Sequence, residues 1–129
     1  MKCNYLLDSV ILIDHFNGRS EATQFLLENS ETASISVITR AEVLTGFDPA
    51  DEVSAKAFLS LFPTYHLTEE DADLAASLRR EHRWKLPDAL QAAVAINRQL
   101  LLVTRNSKDF DPARHAFVSI PYLLSVKQS

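Results

Sequence analysis

Short apolar runs alternate along the chain with longer segments in which apolar residues recur every three or four positions. The run "LLLVT" at residues 100–104 is almost continuously apolar, which is typical of a strand buried on both faces. By contrast, Ala22, Phe25 and Leu26 fall on one face of the segment at 20–30, which predicts an amphipathic helix. The whole pattern predicts short strands at residues 4–7, 33–38, 64–67, 100–104 and 116–120.

The intervening segments predict helices, because they carry helical periodicity or the residues that start and end helices. Gly18 and Gly46 suit two helix ends, and Pro49 suits a first turn. The expected helices cover residues 9–18, 20–30, 39–47, 49–62, 68–84 and 87–98. Strands that alternate with helices form a parallel sheet with helices on both faces. We therefore expect one three-layer α/β domain over residues 1–129, with a short, mostly parallel central sheet.

Composition limits the function more than it defines it. The 129 residues suit one domain, and a hydrophobic content of 47% is enough for a core. A net charge of −4 gives no general attraction to nucleic acid, so a polyanionic partner would need a local basic patch or bridging cations. The single cysteine, Cys3, suits a reducing cytoplasm. No apolar segment predicts a signal peptide or a membrane span, so we expect a soluble, cytoplasmic protein.

Four carboxylates stand close to the ends of the predicted strands. Asp8 follows the first strand, Glu42 lies one turn into the helix after the second, and Asp109 lies in the loop after the fourth. Asp88 opens the helix that leads into the fourth strand, so it joins the others only if that helix begins at the same edge. In open parallel sheets, ligands bind outside the carboxyl ends of the strands.

Each acid alone is more simply interpreted as structural. Helix starts attract carboxylates, because a carboxylate caps free N–H groups and interacts favourably with the helix dipole. The segment "TRAE" at residues 39–42 even matches a capping box, with Thr39 as the cap and Glu42 reaching back to it. Asp88, at the start of "KLPDALQAAVA", would then be only the residue that starts its helix.

Together, the four acids predict a cation site. Carboxylates held close together repel one another unless they are protonated or bridged by cations. Oxygen donors without histidine or cysteine suit Mg²⁺ or Mn²⁺. Such an ion can activate a water molecule for attack on phosphorus. The chemistry that follows is phosphodiester hydrolysis that leaves a 5′-phosphate and a 3′-hydroxyl.

Four segments resemble those of the PIN-domain nucleases in order and context, and in particular the small toxins of VapBC-type toxin–antitoxin pairs. They are "YLLDSVILID", "SVITRAEVLTG", "KLPDALQAAVA" and "LVTRNSKDF", and the similarity covers nearly the whole chain. The resemblance implies a metal-dependent endoribonuclease that cleaves RNA and inhibits translation. It also implies an antitoxin whose tail covers the acidic cleft, homodimers within a toxin–antitoxin hetero-oligomer, and no membrane partner.

The resemblance also implies roles for single residues. Asp8, Asp88 and Asp109 would hold the metal, and Glu42 would coordinate it directly or through water. Three polar neighbours match further family positions and would position a phosphate or orient an acid: Ser9, Thr104 and Asn106.

Two positions depart from the family's pattern. Val10 stands where a polar residue is common, and Asn106 stands where many PIN domains carry another acid, which leaves the fourth ligand open. Asp14 lies one and two-thirds helical turns beyond Asp8, so we expect it to point away from the site.

Basic residues near the acids have two interpretations, since they either bind RNA phosphates or form a solvated surface. They are Arg40, Arg79, Arg80, Arg83, Lys85, Arg105 and Lys108. Trp84, the only tryptophan, is expected to pack between helices rather than stack on a base.

Two other functions fit parts of the pattern. A phosphoacceptor signalling domain would need an aspartate at the end of its third strand, and "TYHLT" at residues 64–68 has none. A non-catalytic module that binds RNA or protein could share the fold, but it would not need all four acids. The RNA target, the number of metal ions, the antitoxin and the oligomer size stay open.

Overall fold

A five-stranded sheet forms the middle of the computed structural model, which describes residues 3–124. The strands are β1 (Tyr5–Leu7), β2 (Ala33–Ser36), β3 (Thr64–Tyr65), β4 (Leu101–Val103) and β5 (Val118–Ser119). Their spatial order is β3-β2-β1-β4-β5, and every neighbouring pair is parallel. Because β1 is central, the residue that follows it emerges in the middle of the carboxyl edge.

Helices cover both faces of this sheet. They are α1 (Ser9–Phe16), α2 (Ser20–Asn29), α3 (Val37–Thr45), α4 (Pro49–Leu59), α5 (Glu69–His82) and α6 (Leu86–Asn97). Successive strand residues point to opposite faces, so each strand contributes to two cores. Leu6 and Leu102 pack with α5 and α6 on one face, whereas Leu7 and Val103 pack with α1 to α4 on the other. The predicted three-layer α/β fold is confirmed, with a fully parallel sheet among the described strands.

The path of α6 decides whether its first turn can join the site. This helix leads into β4, which runs parallel to the other strands, so α6 begins at the carboxyl edge of the sheet and ends at the opposite edge. Its alanines let it lie close to its neighbours, since Ala89, Ala92, Ala93 and Ala95 are all fully buried. Asp88 is therefore placed at the same edge as the residues that follow β1, β2 and β4.

The start of α3 differs from the sequence-based prediction. Strand β2 ends at Ser36, and α3 begins at Val37 rather than at Thr39. The Ser36 hydroxyl is the N-cap, because it accepts hydrogen bonds from the N–H groups of Ile38 and Thr39. Thr39 lies inside the helix and donates instead to the carbonyl of Leu7, at 2.9 Å. The predicted capping box of Thr39 and Glu42 is wrong, and Glu42 has no capping role.

A capping box does occur at α5, where Thr68 and Asp71 bind each other's backbone N–H groups. The Asp71 carboxylate is fully buried and also accepts two hydrogen bonds from the Arg98 guanidinium, at 2.8 and 2.9 Å. Burial by itself would raise the pKa of Asp71, but the hydrogen bonds from Arg98 and Asn97 outweigh it and hold the pKa well below its usual range. This network joins the start of α5 to the end of α6.

Helix α5 ends at His82, two residues earlier than expected, because Arg83 adopts a left-handed conformation with φ of 60°. That turn brings Trp84 back into the core, where it is 5% exposed. Trp84 is buried, as expected, but its ring lies against His82 at the end of α5 and against Phe110 and His115 of the segment between β4 and β5. Among residues 3–124, the structure contains no helix that is long and apolar enough to cross a membrane.

Replacing Asp71 by alanine should lower the free energy of unfolding by about 3 kcal/mol, because the change leaves Arg98 without its partner and removes a helix cap. Urea unfolding at pH 7 measures the loss. The control is Asp73→Ala, an exposed acid on the same helix, which should change stability by less than about 0.5 kcal/mol. Equal effects of the two substitutions would contradict this account of the network.

Candidate functional site

Asp8 occupies the centre of the carboxyl edge, directly after β1. It is 7% exposed and is the N-cap of α1, where Oδ1 accepts a hydrogen bond from the Ser9 N–H. Its Oδ2 accepts a hydrogen bond from the Thr104 hydroxyl at 2.8 Å. Burial raises the pKa of Asp8, and these hydrogen bonds offset part of that rise. Asp8 is thus a helix cap whose carboxylate also meets residues from other segments.

Gln91 is a polar residue of this site that the sequence analysis missed. It is 1% exposed, and its Nε2 lies 2.6 Å from the Thr39 hydroxyl and 3.5 Å from Asp8 Oδ1. Its Oε1 accepts a hydrogen bond from the Ser36 hydroxyl, at 2.6 Å. The signal was available in the sequence, because Gln91 is the one polar residue in "ALQAAVA" and lies one turn after Asp88.

Asp88 is the third residue of α6, but it does not act as the N-cap. That position belongs to Lys85, where the side chain makes no capping hydrogen bond. The pKa of Asp88 is raised to about 6, first by burial and then by the negative charges of Asp8, Asp109 and Glu42. The nearby Lys85 ammonium opposes this rise. The four predicted acids are therefore electrostatic neighbours at one edge of the sheet.

Glu42 completes this group from α3. Its carboxylate is exposed, yet the pKa is raised, first by partial burial and then by repulsion from Asp8. A hydrogen bond from the Ser9 side chain lowers the pKa and offsets part of the rise. Ser9 thus acts on two of the acids, since its N–H donates to Asp8 Oδ1 and its side chain lowers the pKa of Glu42.

Asp109 is held by residues from its own loop and by Trp84. The Asn106 amide donates to Asp109 Oδ2 at 3.1 Å, and the Asn106 N–H donates to the Thr104 hydroxyl at 3.0 Å. The Trp84 indole N–H donates to the backbone carbonyl of Asp109, also at 3.1 Å. Thr104 and Asn106 therefore orient acids of the site, and Trp84 links the Asp109 loop to the turn that precedes α6.

The arrangement suits a divalent cation in charge and donor type. Four carboxylates lie together, and their mutual repulsion adds to burial in raising the pKa of Asp88. Among residues 3–124, however, no three acidic, histidine or cysteine side chains form a closed metal-binding set. The oxygen donors fit Mg²⁺ or Mn²⁺, but the acids are neighbours rather than a preformed cage.

Most of the predicted basic residues surround this edge without entering it. Arg79, Arg80, Arg83 and Lys85 are exposed, and the first two line a surface depression beside Leu86. Arg105 differs from them, because its guanidinium pairs with Asp14 and is not free to bind RNA phosphates.

Comparison with known proteins identifies the fold. Residues 5–115 match the family described as the PIN domain, which is most of the 129-residue chain. The chain belongs to the PIN-domain family. The resemblance found in the sequence is therefore confirmed.

Similar solved structures extend this result. One chain of a toxin–antitoxin complex from Klebsiella pneumoniae is 38% identical, with a TM-score of 0.86 over 94% of this chain and 100% of that chain. A chain of DNA-bound VapBC from Salmonella typhimurium is 21% identical, with a TM-score of 0.74 over 84% of this chain and 91% of that chain. A chain of FitAcB from Neisseria gonorrhoeae is 23% identical, with a TM-score of 0.75 over 93% of this chain and 99% of that chain. The last two similarities show the fold alone, and no curated protein sequence matches significantly.

Replacing Asp88 by asparagine should stabilise the cation-free PIN domain at pH 7. The substitution removes a negative charge that burial and the neighbouring acids make unfavourable in the folded state. The raised pKa of about 6 corresponds to roughly 1–2 kcal/mol after allowance for solvent screening. A carboxyl group with a raised pKa favours the folded state below its unfolded pKa, near 4, and this advantage is lost as the pH rises through about 6. The gain from the substitution should therefore disappear as the pH falls to about 4.

Chelator-treated protein and thermal unfolding between pH 4 and pH 8 measure this difference. Asp73→Asn, an exposed acid on α5, is the matched control and should show no comparable gain. If Asp88→Asn lowered the melting temperature at pH 7, Asp88 would be a helix-starting residue instead.

Proposed function

We propose that this PIN domain is the toxin of a toxin–antitoxin pair and that it acts as a metal-dependent endoribonuclease in the cytoplasm. The observation that carries the proposal is the group of four carboxylates, in which burial and then the charges of Asp8, Asp109 and Glu42 raise the pKa of Asp88. Repulsion between these carboxylates contributes nothing to the stability of the fold, whereas a bound cation would neutralise it. The 38% identity to a chain of a toxin–antitoxin complex supports the biological role.

Asp8, Asp88, Asp109 and Glu42 would hold Mg²⁺ or Mn²⁺, which would supply charge neutralisation and water activation for phosphodiester hydrolysis. Each acid has its own supporting contacts. Thr104 and Gln91 fix the Asp8 carboxylate, Asn106 orients Asp109, and Ser9 contacts Glu42. These residues position oxygen donors, and none of them is proposed as a nucleophile.

The exposed basic residues beside α6 would bring RNA to the acids. Lys85, immediately before α6, acts on the charge of Asp88, whereas Arg79 and Arg80, near the end of α5, line a depression with Leu86. Phosphate contacts of this kind add salt-dependent affinity without sequence preference. The chain as a whole is acidic, with a net charge of −4, so this local group would have to provide the attraction.

An exposed apolar pocket on the opposite layer supports a protein partner. It lies between α2 and α4 and is lined by Leu26, Leu27, Phe58, Leu61 and Phe62. Leu27 and Leu61 are 71% and 74% exposed, so they extend the apolar lining of the pocket into a patch that faces solvent. We propose that the cognate antitoxin covers this pocket and reaches the acidic edge with a basic segment, within a complex that also contains a toxin homodimer.

Partner-free protein should cleave total bacterial RNA into discrete fragments with Mg²⁺ or Mn²⁺, and chelator should prevent it. We expect Asp8→Asn, Asp88→Asn and Asp109→Asn each to lower the cleavage rate by at least about 100-fold while the far-ultraviolet circular dichroism stays native, since each removes a proposed cation ligand. The control is Asp73→Asn, which should cleave normally. End analysis of the fragments should find 5′-phosphates and 3′-hydroxyls.

Calorimetric titration with Mn²⁺ separates the alternatives. Cation binding without cleavage, together with RNA binding, would favour a non-catalytic module on the same fold. Absence of both cation binding and cleavage in the wild-type protein would overturn the nuclease proposal.

A small protein encoded beside this chain should co-purify with it and abolish cleavage. Leu61→Glu should weaken that complex at least about tenfold, because it places a charge in the apolar pocket, and the variant should still cleave RNA. The control is Val53→Glu, which changes an exposed residue of α4 outside the pocket lining. Toxin that remains active and monomeric beside the candidate antitoxin would exclude this partner.

A further inference from the structure

Arg105 has an unusual place in the candidate site. It stands between Thr104, which donates a hydrogen bond to Asp8, and Asn106, which donates one to Asp109. Its own side chain turns away from these acids toward α1. There, Nε lies 2.6 Å from Asp14 Oδ2 and Nη2 lies 2.9 Å from Asp14 Oδ1.

The pairing is two-pronged and largely buried. The side chain of Asp14 is 6% exposed and that of Arg105 is 28% exposed. The hydroxyl of Tyr122, from the segment after β5, adds a third hydrogen bond to Asp14 Oδ2 at 2.9 Å. The hydrogen bonds that Arg105 donates to Asp14 also raise the pKa of Arg105, which keeps the guanidinium charged. One carboxylate thus joins α1, the loop after β4 and the C-terminal part of the described chain.

Net stability is a poor explanation for this pair. A buried ion pair loses about as much in desolvation as it gains in attraction, and apolar side chains of the same volume often serve stability better. What a two-pronged guanidinium–carboxylate pair provides is a fixed direction and distance. Here it fixes the loop that carries Asp109 against the helix that Asp8 caps.

We propose that Asp14 and Arg105 are positioning residues, which hold residues 104–109 against α1 and so set the separation of Asp8 and Asp109 for cation binding. The proposal rests on the proposed function in one respect, namely that these acids bind a cation. The acids do not form a closed set by themselves, so their separation depends on how the supporting loop is anchored.

The chain contains a matched control for this idea. Arg98 and Asp71 form a second two-pronged, buried pair, which joins α5 to α6. This pair lies at the end of α6, whereas Asp88 lies in the first turn of the same helix. Arg105→Lys and Arg98→Lys both keep the positive charge and remove the planar fork. Any difference between the two variants therefore reports on position and not on charge.

The 129-residue protein, free of cations and partner, is used for three measurements: thermal unfolding, hydrogen exchange of backbone amides, and calorimetric titration with Mn²⁺. We expect both variants to lower the melting temperature by similar amounts. Only Arg105→Lys should accelerate exchange at residues 105–110 and weaken Mn²⁺ binding. Because Arg105 acts on the acids through the loop and not by direct contact, we expect a loss of about tenfold, the lower end of the range for direct partners of metal ligands. Arg98→Lys should keep the wild-type affinity within about twofold.

Equal Mn²⁺ affinities and equal loop exchange in the two variants would overturn the proposal. If wild-type protein bound no Mn²⁺, the proposed cation site would be wrong. The exchange data alone would then decide whether the Asp14–Arg105 pair anchors the loop. If Arg105→Lys did not fold, Tyr122→Phe would replace it, because it removes one hydrogen bond to Asp14 and leaves the ion pair in place. That variant should show a smaller change in the same direction, and wild-type exchange in its loop would count against the proposal.

Discussion

The buried carboxylate of Asp8 is the constraint around which the carboxyl edge of this PIN domain is built. A carboxylate at the end of the central strand is costly unless hydrogen-bond donors surround it. The structure provides donors from three separate parts of the chain, namely the Ser9 N–H, the Thr104 hydroxyl and the Gln91 amide. Each donor lies on a different element, so satisfying Asp8 also fixes α1, the end of β4 and α6 relative to one another.

The same edge concentrates negative charge. Burial and three neighbouring acids raise the pKa of Asp88 to about 6, whereas Arg98 and Asn97 hold the pKa of Asp71 below its usual range elsewhere in the same molecule. The chain is therefore able to neutralise a buried acid with a guanidinium, and it does so at Asp71 and at Asp14. Leaving the carboxyl edge without such a partner lowers stability, and that cost is the physical basis for proposing a cation there.

Several parts of this description follow from local patterns in the sequence. The alternation of apolar runs and amphipathic segments predicted the three-layer α/β fold. A strand buried on both faces is continuously apolar, whereas a helix buried on one face has apolar residues every three or four positions. Strand ends then placed Asp8, Glu42 and Asp109 at a common edge, because parallel strands end on the same side. Errors occurred where two local motifs overlapped. "TRAE" has the spacing of a capping box, yet Ser36 starts the helix and leaves Thr39 to bind the carbonyl of Leu7.

The sequence by itself thus determined the kinds of elements, their order and the acids at the strand ends. Only the tertiary structure decided which polar side chains meet, since contacts such as Gln91 with Ser36 and Arg105 with Asp14 join residues 55 and 91 positions apart. Periodicity and capping motifs depend on neighbours within a few residues of each other, whereas these contacts depend on how helices pack against the sheet. A polar residue in an apolar helix shows that a partner exists, but the fold alone selects the partner.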